Sequence, residues 1–514
     1  MSWRQKTFDV LPALTVRRGN LRQCLRRTTL AWMFGVVWSA CISGSQMTLF
    51  ARLLGFGYWH FGVLAAIPFA ATLSQLIASV LVERTGLRKY PFIYFGTAHR
   101  LLWVAMAAVG LLMRPGPLEV TLFLALFAVS SVLGNMSAPS WQVWMADLIP
   151  RRIRGRYFAA RTVWTLPVQV VVALGTGLLL DFLTRPLPPG TPITPANQPA
   201  LVWAIAGLLA VGGIFGAIDI LLFLTLREIV SPPLTARRPE LPLGRNIVSV
   251  LSESAGVVAD AFKDRVFRHY ALYGATITFG IAVGGQFFWL YALENVHYNK
   301  LAANLVFLVL SSFTSFNVIR LWGRLIDRWG RRPILMISAL GTVFSPIGWF
   351  LIPRDNLLVG YLGGGLTSIL AGIMWSGVTL TQTNVMLGFS ASPGRSRYMA
   401  AASVISAAGG ILGGLAGGAI AEFFKDMQLH PLQVGPFTWY NYHVCFVISA
   451  AMRGLAVLWL IGMPEPGARP FRLVARDIFF NAFNNVATRL LWPVRALRTR
   501  DGHKQDVSGP FDTE

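Results

Sequence analysis

Three observations predict an all-α polytopic membrane fold with twelve transmembrane helices in two pseudo-symmetric six-helix bundles. The first is composition. Of 514 residues, 54% are hydrophobic and only 13% charged, with a mean hydropathy of +0.55, whereas soluble domains carry roughly 25% charge. The second is run length. Apolar stretches long enough to cross a ~30 Å hydrocarbon core fall at 29–52, 61–82, 92–113, 119–146, 158–183 and 200–226, then at 268–293, 301–321, 333–353, 358–386, 398–423 and 441–463. The third is where the basic residues lie. Of the 45 Lys and Arg, only Arg52, Arg114, Arg185, Lys300, Arg354 and Lys425 fall on one side of these spans, and Arg100 and Arg453 fall within them. The rest gather on the other side, and loops rich in Lys and Arg stay cytoplasmic.

In chain order, residues 1–28 form a basic cytoplasmic segment without a signal-peptide cleavage pattern. Residues 29–226 form the first bundle, and 227–267 a cytoplasmic linker with an amphipathic helix at 245–262. Residues 268–463 form the second bundle, and 464–514 a cytoplasmic tail. In the tail, Phe479, Phe483, Val486 and Leu490 recur at helical spacing, which predicts a surface-lying helix over 472–497. Both termini are therefore expected in the cytoplasm, and the chain in the inner membrane. The net charge of +23 does not indicate nucleic acid, because no basic stripe interleaved with aromatics accompanies it. Cys24, Cys41 and Cys445 stand too far apart for a metal motif or a disulfide framework. No cofactor is expected. The seven His are scattered, and no nucleophile–base pair suggests an enzyme.

The halves repeat. "ERTGLRK" (83–89) follows the second span as "DRWGRRP" (327–333) follows the eighth. "RGRYFAA" (154–160) and "GRSRYMAA" (394–401) follow the fourth and tenth, aligning Arg156 and Tyr157 with Arg397 and Tyr398. "SGSQMTLFA" (43–51) in the first span matches "VGGQFFWLY" (283–291) in the seventh, which pairs Gln46 with Gln286. Parallel repeats about the membrane normal are a transporter architecture.

The G-x-x-x-D-R-x-G-R-R pattern after the eighth span, its degenerate copy after the second and the six-plus-six layout resemble the major facilitator superfamily over roughly 29–463. In the first copy Glu83 stands for the acid and Ser79 for the leading Gly. The resemblance implies a conformational latch in which the motif acid docks at a helix N-terminus. Asp327, Arg328 and Arg332 would meet the start of span eleven near Arg395 and Arg397. Glu83 and Arg84 would meet the start of span five near Arg154 and Arg156. A carboxylate facing a helix N-terminus gains roughly 0.3–1 kcal/mol. The resemblance also implies that spans one, two, four, five, seven, eight, ten and eleven line a central cavity.

These spans carry amides that lipid would not tolerate unpaired. Gln46, Gln286, Asn135, Gln142 and Gln382 are expected to contact substrate, with Trp289 stacking on it from one turn beyond Gln286. No acid lies in the middle of a cavity-lining span, and span five lacks the G-x-x-x-G-P pattern of drug–proton antiporters. That leaves facilitated diffusion, a different coupling ion or a relay through the latch charges. Among the supporting spans, Arg100 lies about 13 Å deep and Asp219 about 12 Å deep from the same side, so Arg100 or the adjacent His99 is expected to pair with Asp219. Arg453 has no evident partner. Gly pairs at 409–410, 413–414 and 417–418 give span eleven two small faces for close packing.

The function expected is alternating-access transport of a small neutral polar or amphipathic solute by a monomer in the lipid bilayer. The alternatives are export of a lipid-like or drug-like molecule, and a non-transporting factor that assembles membrane complexes.

Overall fold

The computed structural model describes residues 18–85, 87–113, 115–186, 193–226, 262–354, 356–388, 395–434, 437–465, 467–478 and 480. The expected linker helix at 245–262 lies outside them apart from Phe262. So does most of the expected tail helix, of which residues 471–478 are helical.

Among the described residues eleven helices are long and apolar enough to cross a membrane, and a bent pair supplies the twelfth span. That pair is span one, Arg18–Ile42 followed by Ser45–Leu53 at 44°. Span two runs Tyr58–Thr72 and Ser74–Thr85, span three Lys89–Leu112, span four Pro117–Leu148, span five Arg151–Leu183 and span six Pro199–Leu222. In the second half, span seven is Arg265–Glu294, span eight Lys300–Trp329, span nine Arg331–Leu351, span ten Leu357–Gly388, span eleven Arg395–Phe423 and span twelve Asn441–Ile461. Leu112, Phe182, Leu358 and Leu362 stand exposed on the outer surface, where hydrocarbon would meet them.

The helices run further than the apolar runs do. Arg151 to Tyr157 form the first turns of span five rather than a loop. The expected connector "DRWGRRP" shrinks to one residue, Gly330, because span eight ends at Trp329 and span nine begins at Arg331. Gly330 has φ +96°, a left-handed conformation that disfavours any side chain. Glu465, just beyond span twelve, accepts from Arg331 N at 3.1 Å and Arg332 N at 2.6 Å. It thereby satisfies the free amides at the start of span nine.

Packing repeats as the sequence does. Span one packs on five and six, two on four, and three on four and six. Span seven packs on eleven and twelve, eight on ten, and nine on ten and twelve. Between the halves, span two packs on eleven and span five on the start of eight. The two faces of span eleven divide this labour. A Cβ at Gly417 would come within 2.5 Å of Val283 O in span seven, inside its own half. A Cβ at Gly62 would come within 2.5 Å of Gly418 Cα, and one at Gly414 within 2.8 Å of Ala66 N, across the halves.

All these inter-half approaches lie toward the face opposite the one where spans one and twelve meet the chain termini. Toward the terminal face, the buried clusters around Trp144 and around Tyr273 each belong to a single half. Among the described residues the molecule is thus closed at the opposite face and unjoined at the terminal face.

Gly418→Val should overpack the two–eleven contact by about 1–3 kcal/mol and shift the population toward an open opposite face. Spin labels at positions 55 and 430 should report a longer distance. Gly417→Val, which clashes within one half, should lower thermal stability without lengthening it.

Candidate functional site

The closed face is built from helix ends. Span one breaks at Gly44, which has φ +88°, and restarts at Ser45, leaving helix-start amides without intrahelical partners. Asn304 of span eight supplies one partner: its Oδ1 accepts from Ser45 N at 3.1 Å and from Ser45 Oγ at 3.0 Å. Its Nδ2 donates to Ala173 O at 2.9 Å in span five. A side chain at position 44 would press on Asn304 Oδ1, so the break and the contact depend on the same glycine. The converse cap comes from Asp181 of span five, which accepts from Lys300 N at 2.8 Å and Leu301 N at 2.9 Å at the start of span eight. Each half therefore caps a helix of the other.

Gln46 belongs to this network. It is 0% exposed, and its Nε2 donates to Thr176 Oγ1 at 2.7 Å and to Ala40 O at 3.0 Å. The expected substrate contact is, in this conformation, sealed inside the closed face. Gln286 is half-buried, and no hydrogen bond joins it to another described residue. The sequence repeat matches these two glutamines, but the conformation treats them differently. Trp289 is stacked on Phe307 at 4.3 Å, and Phe307 on Trp349 at 4.9 Å. Gln382 lies beside the buried Tyr273 hydroxyl, which has no normal hydrogen-bond partner.

An ion pair closes the outer layer. Arg52 Nε meets Glu294 Oε1 at 2.6 Å and Arg52 Nη2 meets Oε2 at 3.1 Å. The Tyr442 hydroxyl donates to the same carboxylate at 2.5 Å, and the Arg52 guanidinium lies 4.9 Å over the Tyr58 ring. Sequence reasoning counts Arg52 only as a topology marker. The separation of Arg52 and Glu294, 242 residues, is close to the repeat offset, so they occupy equivalent helix ends with opposite sign, and that is the available signal.

Inside the first bundle lies a cavity of about 620 Å³. Asn135 and Gln142 line it, with Gln142 exposed and Asn135 Oδ1 accepting from Gln75 Nε2 at 2.8 Å. The charges of the supporting spans three and six reach it as well. Arg100 Nη2 stands 3.6 Å from Asp219 Oδ2, both side chains nearly fully buried. Glycines allow the approach: a Cβ at Gly35 would touch Asp219 Oδ2 at 2.5 Å, and one at Gly216 would come within 2.7 Å of Arg100 Cδ. The Arg100 guanidinium sits 3.2 Å over the Trp38 ring. His99 does not join the pair. Its Nδ1 bonds to Ser130 O and Oγ, each at 2.8 Å. Arg161 also lines the cavity. The sorting of basic residues by side groups it with the loop arginines, but the early start of span five carries it inward, where it is 8% exposed. Arg453, without an evident partner in the sequence, donates to Thr342 O at 2.9 Å.

At the terminal face the latch residues stand apart. Asp327, Arg328 and Arg156 are exposed, and no ion pair or hydrogen bond joins Asp327 to another described residue. Arg332 donates to the span-twelve carbonyls of Leu460 at 3.0 Å and Ile461 at 2.5 Å, so it anchors its own half. Span eight packs across the halves on five, and span two on eleven. The side chains of Glu83, Arg84, Arg154, Arg395 and Arg397 lie outside the described residues. Among the described residues no group of three His, Cys, Asp or Glu side chains is placed to hold a metal ion.

Two repeated bundles with a capped, closable face define a multi-pass membrane transporter. The sequence profile described as Major Facilitator Superfamily matches residues 28–391, and the chain belongs to that superfamily. No curated protein sequence matches it significantly. Solved structures share the fold at low identity. The nucleoside transporter NupG aligns at TM-score 0.57 and 15% identity, over 86% of this chain and 98% of its own. The xylose transporter XylE from E. coli, in a partially occluded inward-open conformation, aligns at TM-score 0.55 and 15% identity, over 88% and 100%. A bacterial homologue of the human lysosomal transporter Spinster, inward-facing and unoccupied, aligns at TM-score 0.56 and 16% identity, over 88% and 100%.

Removing one partner of the Arg100–Asp219 pair strands a buried charge, so Arg100→Met or Asp219→Asn should each cost on the order of 3–5 kcal/mol. The double variant should lose less than the sum. A double-mutant cycle by thermal unfolding in detergent checks this, and zero coupling would mean two independent charges.

Proposed function

We propose that the protein is an alternating-access transporter for a small amphipathic solute, held here with its terminal face open. One observation carries this reading: the contacts between the halves gather at one face, where polar helix caps, an ion pair and a shared apolar cluster close it. The asymmetry of Lys and Arg supports assigning the terminal face to the cytoplasm, which makes this an inward-facing state. The two-bundle organisation, with boundaries near 226 and 268, supplies the rigid bodies that would rock. The central amides suit polar groups on the solute, with Gln286 free to meet it in this state and Gln46 released when the opposite face opens. Asp219 and two arginines line a separate cavity inside the first bundle.

For the latch, we propose that Asp327 docks at the N-terminus of span five when the terminal face closes. A carboxylate there is worth about 1 kcal/mol. Asp327→Asn should therefore shift the population roughly fivefold toward the inward-facing form. Spin labels at positions 156 and 324 would show it as loss of the shorter distance.

Alternation itself is tested by accessibility. With the native cysteines replaced, Ala173→Cys places a thiol in the sealed face. An impermeant maleimide on that side of proteoliposomes should label it slowly. A Ser45→Cys, Asn304→Cys cross-link should abolish the labelling, and reduction should restore it. A folded protein that never labels would be a static scaffold, which is the assembly-factor alternative.

A further inference from the structure

The cavity of the first bundle contains a charge arrangement that the transport reading does not use. Two guanidiniums, Arg100 and Arg161, face it with one carboxylate, Asp219. The Arg100–Asp219 contact at 3.6 Å is an ion pair without a close hydrogen bond, and Arg100 Nε and Nη1 are buried without acceptors. Arg161 makes no ion pair and no hydrogen bond among the described residues, and its Nε is buried without an acceptor. What holds it is aromatic. Its guanidinium lies 4.6 Å from the Trp32 ring centroid and 5.4 Å from that of Trp141. Ring faces stabilise a cation but accept none of its five N–H bonds in the plane. A buried guanidinium in that state is poised for an oxyanion, which it can bind through two parallel hydrogen bonds.

The rest of the cavity specifies the other end of the ligand. Its walls include Trp32, Phe92, Trp141, Ile220 and Phe223, a lining that favours a flat apolar body. Its volume of about 620 Å³ lies in the range of small-molecule sites, roughly 300–1,000 Å³.

We propose that this cavity binds a small organic anion, a carboxylate or phosphate on a ring-bearing apolar body, with Arg161 as its principal anion ligand and Arg100 as the second. It rests on the transport reading only in making that anion the cargo; binding itself requires no movement. Asp219 then has a defined role. It neutralises Arg100 when the site is empty and tempers affinity, so that the anion can leave.

The test is equilibrium binding to the full-length protein in phosphatidylcholine nanodiscs, with tritiated 2-naphthoate as the probe and 2-naphthamide as its uncharged isostere. Naphthoate should bind saturably and more tightly than naphthamide by about tenfold or more, since only the anion completes the guanidinium. Arg161→Gln should collapse that ratio toward one, and Arg161→Lys should retain part of it. A merely structural role for Arg161 would lower both affinities together and leave the ratio unchanged. Displacement of naphthoate by phosphatidylglycerol added to the nanodisc would assign the anion site to a lipid headgroup. No displacement would assign it to a soluble acid. Equal binding of acid and amide, no saturable binding by wild-type protein, or an unchanged ratio in Arg161→Gln would overturn the proposal. None of those results would touch alternating access, which the maleimide experiment reads separately.

Discussion

The closed face depends on helix ends that cannot satisfy themselves. A helix leaves its first amides without intrahelical partners, and in a bilayer there is little water to take them. Here the start of the second segment of span one is capped by Asn304 from the other half. The start of span eight is capped by Asp181, also from the other half. The halves are thus joined by the same hydrogen bonds that complete their own helices. Separating them exposes those amides, so opening is tolerable only where water enters as the caps leave. These caps lie together at one end of the molecule, where the proposed alternation makes their contact a gate.

Close packing makes that gate possible. Span eleven places one row of glycines against span seven and the adjacent row against span two. The first row binds the helix to its own bundle, and the second lets two backbones approach across the halves. Small residues allow such contact without interlocking side chains.

The first bundle concentrates its charge away from the gate. Arg100 and Asp219 sit on supporting helices and reach the cavity inside the first bundle, where Gly35 and Gly216 leave room for their side chains. Arg161 arrives there because span five begins at Arg151, which moves the residue from a loop into a helix. Buried charge in this setting is stabilised by partial neutralisation and by the faces of Trp38, Trp32 and Trp141. The same aromatic walls that tolerate the cations leave their hydrogen-bonding edges open.

Much is legible in the sequence because it rests on local chemistry. Run length and the sorting of Lys and Arg follow from the hydrocarbon thickness and from charge translocation, and they yield twelve spans and their halves. Helical depth places Arg100 level with Asp219, and the glycine spacing defines two faces of span eleven. What only the tertiary structure decided concerns contacts between distant segments. The repeat makes Gln46 and Gln286 equivalent, but one half-bundle tilt seals the first and leaves the second open. Arg52 and Glu294 are visible as helix-end charges, yet their meeting depends on which face is closed. A sequence repeat specifies each bundle's interior twice over. The angle between the bundles is specified by neither copy, because each copy repeats the contacts within a bundle and not those between the two.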